Sequence, residues 1–224
     1  MEKGGKGSRE GGDNVMQDLI FIGSGGCMRE LLYQVENLNR ECPTWNMIGY
    51  VDKEDCGYNG CPYLGDDDWL LTYHQPAAVC ISVQEPGLRR RLYESYRKNP
   101  KLEFPVIRML HTELADSTKV REGTILCEHV KITNDGEIGE CCFFNIGAQV
   151  HHEALIGDFV TVAPNATLAG NVTLGKGSYI GMGANLIQGI RVGEGAVIGA
   201  GAAVIRDIPD HVTAVGVPAR VIER

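Results

Sequence analysis

The chain is short of several things, and each shortage removes a class of function. It has no stretch of about 18 apolar residues, so no segment reads as a membrane-spanning helix. Its 21 Lys and Arg are outnumbered by 29 Asp and Glu. The formal charge of −8 argues against a nucleic-acid surface, which needs clustered cations. Residues 1–16 are rich in glycine and charge and lack the apolar core of a secretory signal. They read as a disordered leader, with Met16 a candidate natural start. The eight cysteines form no CxxC pair. Cys56 and Cys61 are the nearest two apart from the adjacent Cys141 and Cys142, and a reduced, cytoplasmic protein is the simplest reading.

What the chain does have is a repeat. From residue 114 to residue 204 every sixth residue is apolar, sixteen positions in phase with no insertion: Leu114, Val120, Leu126, Ile132, Ile138, Phe144, Val150, Ile156, Val162, Leu168, Leu174, Ile180, Leu186, Val192, Ile198 and Val204. A period of six fits neither a helix nor an alternating strand. It predicts a parallel β-helix, in which each short strand is one side of a coil and one aliphatic side chain per side fills a triangular prism. Small residues two positions before the anchors (Ala148, Ala154, Ala166) and Gly or Ala just after them (Gly139, Gly157, Gly175) suit corners where a Cβ would clash.

Before the repeat, strand and helix signals alternate. Apolar runs at 19–22, 45–51, 77–83 and 104–110 read as strands, with helical stretches after the first and third. This predicts a small Rossmann-like α/β domain over 17–110, a β-helix over 111–206 and a carboxy-terminal segment over 207–224. Gly23, Ser24, Gly25, Gly26 and Cys27 lie between the first strand and its helix. Backbone N–H groups there would suit a pyrophosphate, although the same glycines would also serve a tight turn. Met28 stands where a dinucleotide fingerprint has its third glycine. Asp52, ending the second strand, is equally a ribose-hydroxyl acceptor or a solvated carboxylate.

A glycine loop, a small α/β unit and then hexapeptide coils resemble, in that order, the hexapeptide-repeat sugar acetyltransferases. That family includes sialic-acid O-acetyltransferases and N-acetyltransferases of nucleotide-linked 4-amino-sugars. The resemblance implies a left-handed coil of three hexapeptides per turn, about five turns here, and three prisms packed as a homotrimer. It implies acetyl-coenzyme A as co-substrate and a glycine loop holding the nucleotide of the acceptor. Many members carry a histidine shortly after those glycines, where this chain has Cys27.

The segment from Asn145 through His151, His152 and Glu153 to Ile156-Gly157-Asp158 carries the rest of the resemblance. It implies that His152 is the general base and Glu153 its acidic neighbour. Imidazole, with an ordinary pKa of about 6.5, suits proton abstraction from an amine or hydroxyl attacking a thioester. Glu153 is a candidate to orient the ring or support the imidazolium that forms, although adjacent residues of a strand point to opposite faces. Asn145 is a third candidate, stacked near the acceptor. His151 is equally a structural corner residue.

The resemblance places coenzyme A contacts at Gly170, Gly181, Met182, Gly199, Ala200 and Arg220; the glycines are equally plain corners. Metal binding is the rival use for the histidines. Prism-shaped carbonic anhydrases take three, and here His129 lies 22 residues before His151 and no histidine follows His152 until His211, so no metal is expected. The preferred acceptor is the amino group of a nucleotide-linked amino-sugar destined for a surface glycan. A sugar hydroxyl, as in sialic-acid O-acetylation, and a non-enzymatic nucleotide-binding trimeric scaffold are the alternatives.

Overall fold

The computed structural model describes residues 16–222. The amino-terminal part runs β1 (Gln17–Ile22), α1 (Gly26–Glu41), β2 (Trp45–Val51), β3 (Tyr63–Gly65), α2 (Asp67–Leu71), β4 (Ala77–Ile81), α3 (Pro86–Tyr96) and β5 (Leu102–Glu103). Its strands form one parallel sheet in the order β3-β2-β1-β4-β5. The order reverses between β1 and β4, and in open α/β sheets that is where loops at the carboxyl ends leave a crevice for ligands. The leader lies outside the described residues apart from Met16.

The expected strand at 104–110 is divided. Leu102 and Glu103 close the α/β sheet, while β6 (Ile107–Arg108) already pairs with Ile125–Leu126 in the coil. The solenoid thus begins ahead of residue 111. It also continues past residue 206 through β23 (Thr213–Val215), which pairs in parallel with Val197–Ile198, and the antiparallel β24 (Arg220–Ile222). The strand β3 and helix α2 were not anticipated, because three and five residues are too short to show a period.

Sixteen two-residue strands, β7 (Glu113–Leu114) to β22 (Ala203–Val204), follow one another every six residues. Each pairs with the residue 18 positions on, as in Lys131 with Gln149 and Ile132 with Val150. Three parallel faces result. The first has eight strands and contains Phe143–Phe144; the second has six and contains Gln149–Val150; the third has five and contains Leu155–Ile156. The anchors from Leu126 on point inward and are buried. Each contributes roughly 1.5–3 kcal/mol by leaving water.

The faces differ in their outer residues. On the second and third faces these are exposed (Lys131, Glu137, Gln149, Leu155), but on the first face Ile125, Phe143 and Thr161 are buried. The α/β part covers them. Buried Leu31 and Val35 of α1 share one apolar cluster with Cys127 and Phe143. The outward Phe143 and the corner residue Phe159 therefore meet this chain's own α/β part. Polar ties reinforce the contact. Gln34 accepts from the Glu128 N–H at 2.7 Å, Asn37 donates to the Glu128 carboxylate at 3.2 Å, and the Tyr93 hydroxyl lies 2.6 Å from Glu122.

Corner glycines are required where successive coils touch. A Cβ on Gly181 would lie 2.6 Å from the Ala200 nitrogen, closer than real Cβ contacts come. At Gly26, by contrast, the nearest group is the mobile Arg29 side chain at 4.0 Å. Gly181→Ala should lower stability by about 1–3 kcal/mol through overpacking, whereas Gly26→Ala should change it little. Thermal melts of the two variants against wild type check this; equal melting temperatures would show that the corner can yield.

Candidate active site

His152 follows the second-face strand Gln149–Val150 and sits at the corner leading to the third face. Eighteen-residue stacking determines its surroundings. The Glu153 N–H donates to the Asn134 carbonyl one coil earlier, and the Asn171 N–H donates to the His152 carbonyl one coil later. His152 is thus sandwiched between Asn134 and Gly170. A Cβ on Gly170 would collide with the imidazole Cε1 and Nε2. Glycine there leaves the space that the ring occupies.

The expected conflict between His152 and Glu153 does not arise. Glu153 has φ 59°, in the left-handed region, and belongs to a turn rather than a strand. The turn swings its carboxylate back, and Oε2 lies 3.1 Å from His152 Nδ1. Nε2 faces the opposite way on the ring. About half the His152 side chain is open to solvent. Asp135, at the equivalent corner one coil earlier, is held below the ordinary carboxylate range, first by a hydrogen bond from Asn134, then by one from Ser117. It also senses the charge of His152. Asn134 and Asp135 escaped the sequence reading, yet subtracting 18 from 152 and 153 would have found both.

Other candidates lie elsewhere. Asn145 is buried at the corner between the first and second faces, where its carboxamide oxygen accepts from the Ile146 N–H at 2.7 Å. Within one chain it is not brought to His152, because the second face separates their corners. His151 is exposed, and its N–H continues the ladder to the Leu168 carbonyl.

The coenzyme candidates divide in the same way. Gly170 is at the His152 corner, while exposed Met182 and Ala200 are at the Asn145 corner. Gly181 is needed there for coil stacking, and a Cβ on Gly199 would meet Val215 at 2.7 Å. Arg220, exposed on β24, donates to the Ala219 carbonyl at 2.9 Å.

The glycine loop is a separate site. Helix α1 starts at Gly26 with Gly25 as its cap, so no cap side chain takes up the first N–H groups, and they remain open to an anion. A Cβ on Gly25 would meet nothing within 4 Å, which marks the loop surface as open. Asp52 braces this loop: its Oδ2 accepts from the Ser24 N–H at 2.8 Å and from the Ser24 hydroxyl. Met28 is fully buried, so its side chain fills the space between helix and sheet that a third glycine would close. Burial pushes the Cys27 thiol up to about 11, partly offset by a hydrogen bond with Gln84, so it is no thiolate nucleophile at neutral pH.

Among the described residues no group of three or more His, Cys, Asp or Glu could hold a metal, and no helix is long and apolar enough to cross a membrane. All eight cysteines are free thiols.

An imidazole at a coil corner beside a glycine gap, with an uncapped helix start on a separate glycine loop, is the arrangement the solenoid presents. Comparison with known proteins specifies it further. No family model matches the chain. GDP-perosamine N-acetyltransferase of Escherichia coli O157:H7 is 30% identical over 153 residues, covering 67% of this chain and 69% of that enzyme. The acetyltransferase domain of PglB from Neisseria gonorrhoeae superposes with a TM-score of 0.86 at 28% identity, covering 92% of this chain and 100% of that one. That domain has also been solved with acetyl coenzyme A. PerB from Caulobacter crescentus, solved with CoA and GDP-perosamine, gives a TM-score of 0.83 at 28% identity over 93% of this chain and 99% of that one. The chain belongs to the hexapeptide-repeat sugar acetyltransferases.

If the gap at Gly170 seats the imidazole, filling it should cost activity without unfolding the coil. Gly170→Ala should lower kcat by roughly 10²-fold, the order of loss expected from displacing a reacting group by about an ångström. Steady-state kinetics alongside a melting curve test this, and full activity in the variant would sink the assignment.

Proposed function

We propose that this enzyme transfers the acetyl group of acetyl-coenzyme A to the amino group of a nucleotide-linked amino-sugar. His152 acts as the general base. The observation that carries the reading is the His152–Glu153 pair, with Nδ1 held at 3.1 Å and the ring about half exposed over the gap at Gly170. Glu153 fixes the tautomer that leaves Nε2 unprotonated and stabilises the imidazolium once it forms. The amine nitrogen attacks the thioester carbonyl as Nε2 takes its proton, backbone N–H groups at a corner stabilise the oxyanion, and coenzyme A leaves as the thiol. The glycine loop, braced by Ser24 and Asp52, holds the diphosphate of the acceptor.

Placement of these parts supports a homotrimer. The α/β part covers the first face, whereas His152 lies at the opposite corner of the prism, between the second and third faces. One chain cannot bring its own nucleotide loop to its own base, so a second copy supplies the other half. The uncovered side carries exposed Leu155, Ile187 and Ile205 around the His152 corner, apolar surface suited to burial against a neighbour. A groove of about 380 Å³, lined by Glu85, Arg90, Phe159, Lys176, Tyr179 and His211, opens beside the turn after β4. We place the sugar of the acceptor there, facing His152 of the second copy. The division of coenzyme candidates between two corners agrees with a coenzyme lying between two prisms. Asn145 of a neighbouring copy joins the site on the same basis.

We further read the amino-terminal part as a Rossmann-like nucleotide-binding domain and the coil as left-handed. The reaction belongs to surface-glycan biosynthesis in the cytoplasm, where eight free thiols stay reduced.

Coenzyme A release should be seen with at least one of a panel of GDP-, UDP- and dTDP-linked 4-amino-sugars. His152→Ala should lower it by roughly 10²–10⁴-fold, the usual worth of a general base. Turnover with free sialic acid alone would move the acceptor to a hydroxyl. Unchanged activity in His152→Ala would remove the proposed base. Analytical ultracentrifugation should give three times the 24.4 kDa chain mass, and a monomer with full activity would refute the shared site.

A further inference from the structure

Arg89, in the second turn of α3, is buried among uncharged partners. Its Nε donates to the Cys141 carbonyl at 2.7 Å, and one terminal nitrogen donates to the Val83 and Gln84 carbonyls, both at 2.9 Å. The other reaches the Phe159 carbonyl at 2.8 Å, the Val160 carbonyl at 3.1 Å and the Thr161 hydroxyl at 3.0 Å. Every acceptor is a neutral oxygen. Burial lowers its pKa to about 10, which still leaves it charged at neutral pH.

A buried cation without a carboxylate is costly, so something must offset it. Here six oriented dipoles do so, and they come from both parts of the molecule. Val83 and Gln84 form the turn after β4; Cys141 and Phe159 to Thr161 belong to two successive coils. Only a guanidinium has enough donors, in a wide enough fork, to hold all these segments together.

The turn it holds leads to the glycine loop. The Gln84 carbonyl also accepts from the Thr161 hydroxyl at 2.6 Å, and the Gln84 side chain lies beside the Cys27 thiol. The Ser82 hydroxyl, at the start of the same turn, donates to the Ile22 and Gly23 carbonyls. A continuous path therefore runs from the coil through Arg89 and Thr161 to Gln84, and on to Cys27 and Gly23. Other contacts already dock the α/β part on the coil: the apolar face of α1, the Gln34 and Asn37 ties to Glu128, and Tyr93 with Glu122. Arg89 is not needed merely to attach the two parts.

We infer that Arg89 is a positioning residue for the acceptor: it fixes the turn at residues 82–85, and through it the glycine loop, at a set place over the coil. This rests on the reading that the loop binds the nucleotide of the acceptor.

The test compares wild type with Arg89→Lys, which keeps the charge and loses the fork, and with Thr161→Val, which removes the second tie to Gln84. Calorimetry with GDP, UDP and dTDP, and separately with acetyl-coenzyme A, is combined with amide exchange at residues 23–28 and 82–88. The expected result is nucleotide binding weakened by roughly tenfold or more, the order of a lost charge-assisted hydrogen bond. Acetyl-coenzyme A affinity should stay within about twofold, since its contacts are placed on the coil. Amides of both loops should exchange faster. Unchanged nucleotide affinity in folded Arg89→Lys overturns the inference, as does an equal fall in both affinities, which would mean general loosening. If Arg89→Lys fails to fold, Thr161→Val decides by the same criteria. Wild type that binds none of the three nucleotides would overturn the nucleotide reading and the inference together, an outcome distinct from a wild type that binds and variants that bind equally well.

Discussion

The ladder of backbone hydrogen bonds between successive coils governs everything else in this molecule. The His151 N–H meets the Leu168 carbonyl, the Leu155 N–H meets Val172, and the same step recurs along the coil. Each rung satisfies buried polar groups that would otherwise be costly to remove from water. It also keeps one aliphatic side chain per strand pointing inward. Because the rise from coil to coil is fixed by this ladder, any two side chains 18 residues apart are stacked. The active corner is built from that rule: Asn134, His152 and Gly170 are neighbours because of their register, not through any local motif.

Glycine serves three different ends on this frame. At Gly181 it admits the backbone of the next coil. At Gly170 it admits the imidazole of His152. At Gly25 it leaves the start of a helix bare, so that unpaired N–H groups can meet an anion. The first is a requirement of coil stacking, and the other two are the uses that the proposed reaction makes of the same missing Cβ.

The two halves of the proposed reaction lie on opposite sides of the prism. On the proposed reading this layout ties activity to assembly, because the base of one chain and the nucleotide loop of another meet in one site. It also explains the unequal faces. The first face spends its outer positions on Ile125, Phe143 and Thr161, which bind the α/β part, while the other two carry Lys131, Glu137 and Gln149 alongside isolated exposed aliphatics. Arg89 stands where the α/β part meets two coils, and its partners are backbone carbonyls whose positions the ladder has already fixed.

The sequence by itself determined the solenoid, since an apolar residue every sixth position has no other packed solution, and it pointed to His152 and Glu153 through the motif around them. It also marked β1, β2, β4 and α3 closely, these being long enough to show a period or a run. It did not reveal β3 and α2, the early entry of Ile107 into the coil, or the brace between Ser24 and Asp52. Tertiary structure alone decided which face the α/β part covers and that Asn145 and His152 occupy different corners. It alone turned Glu153 toward the imidazole, through a left-handed turn, and gathered six oxygens around Arg89. The physical reason is one of range. Periodicity records what each residue does relative to its own strand, whereas the docking of the α/β part and the cage around Arg89 depend on groups far apart in the chain, 94 residues for Gln34 and Glu128, that meet only once the coils are stacked.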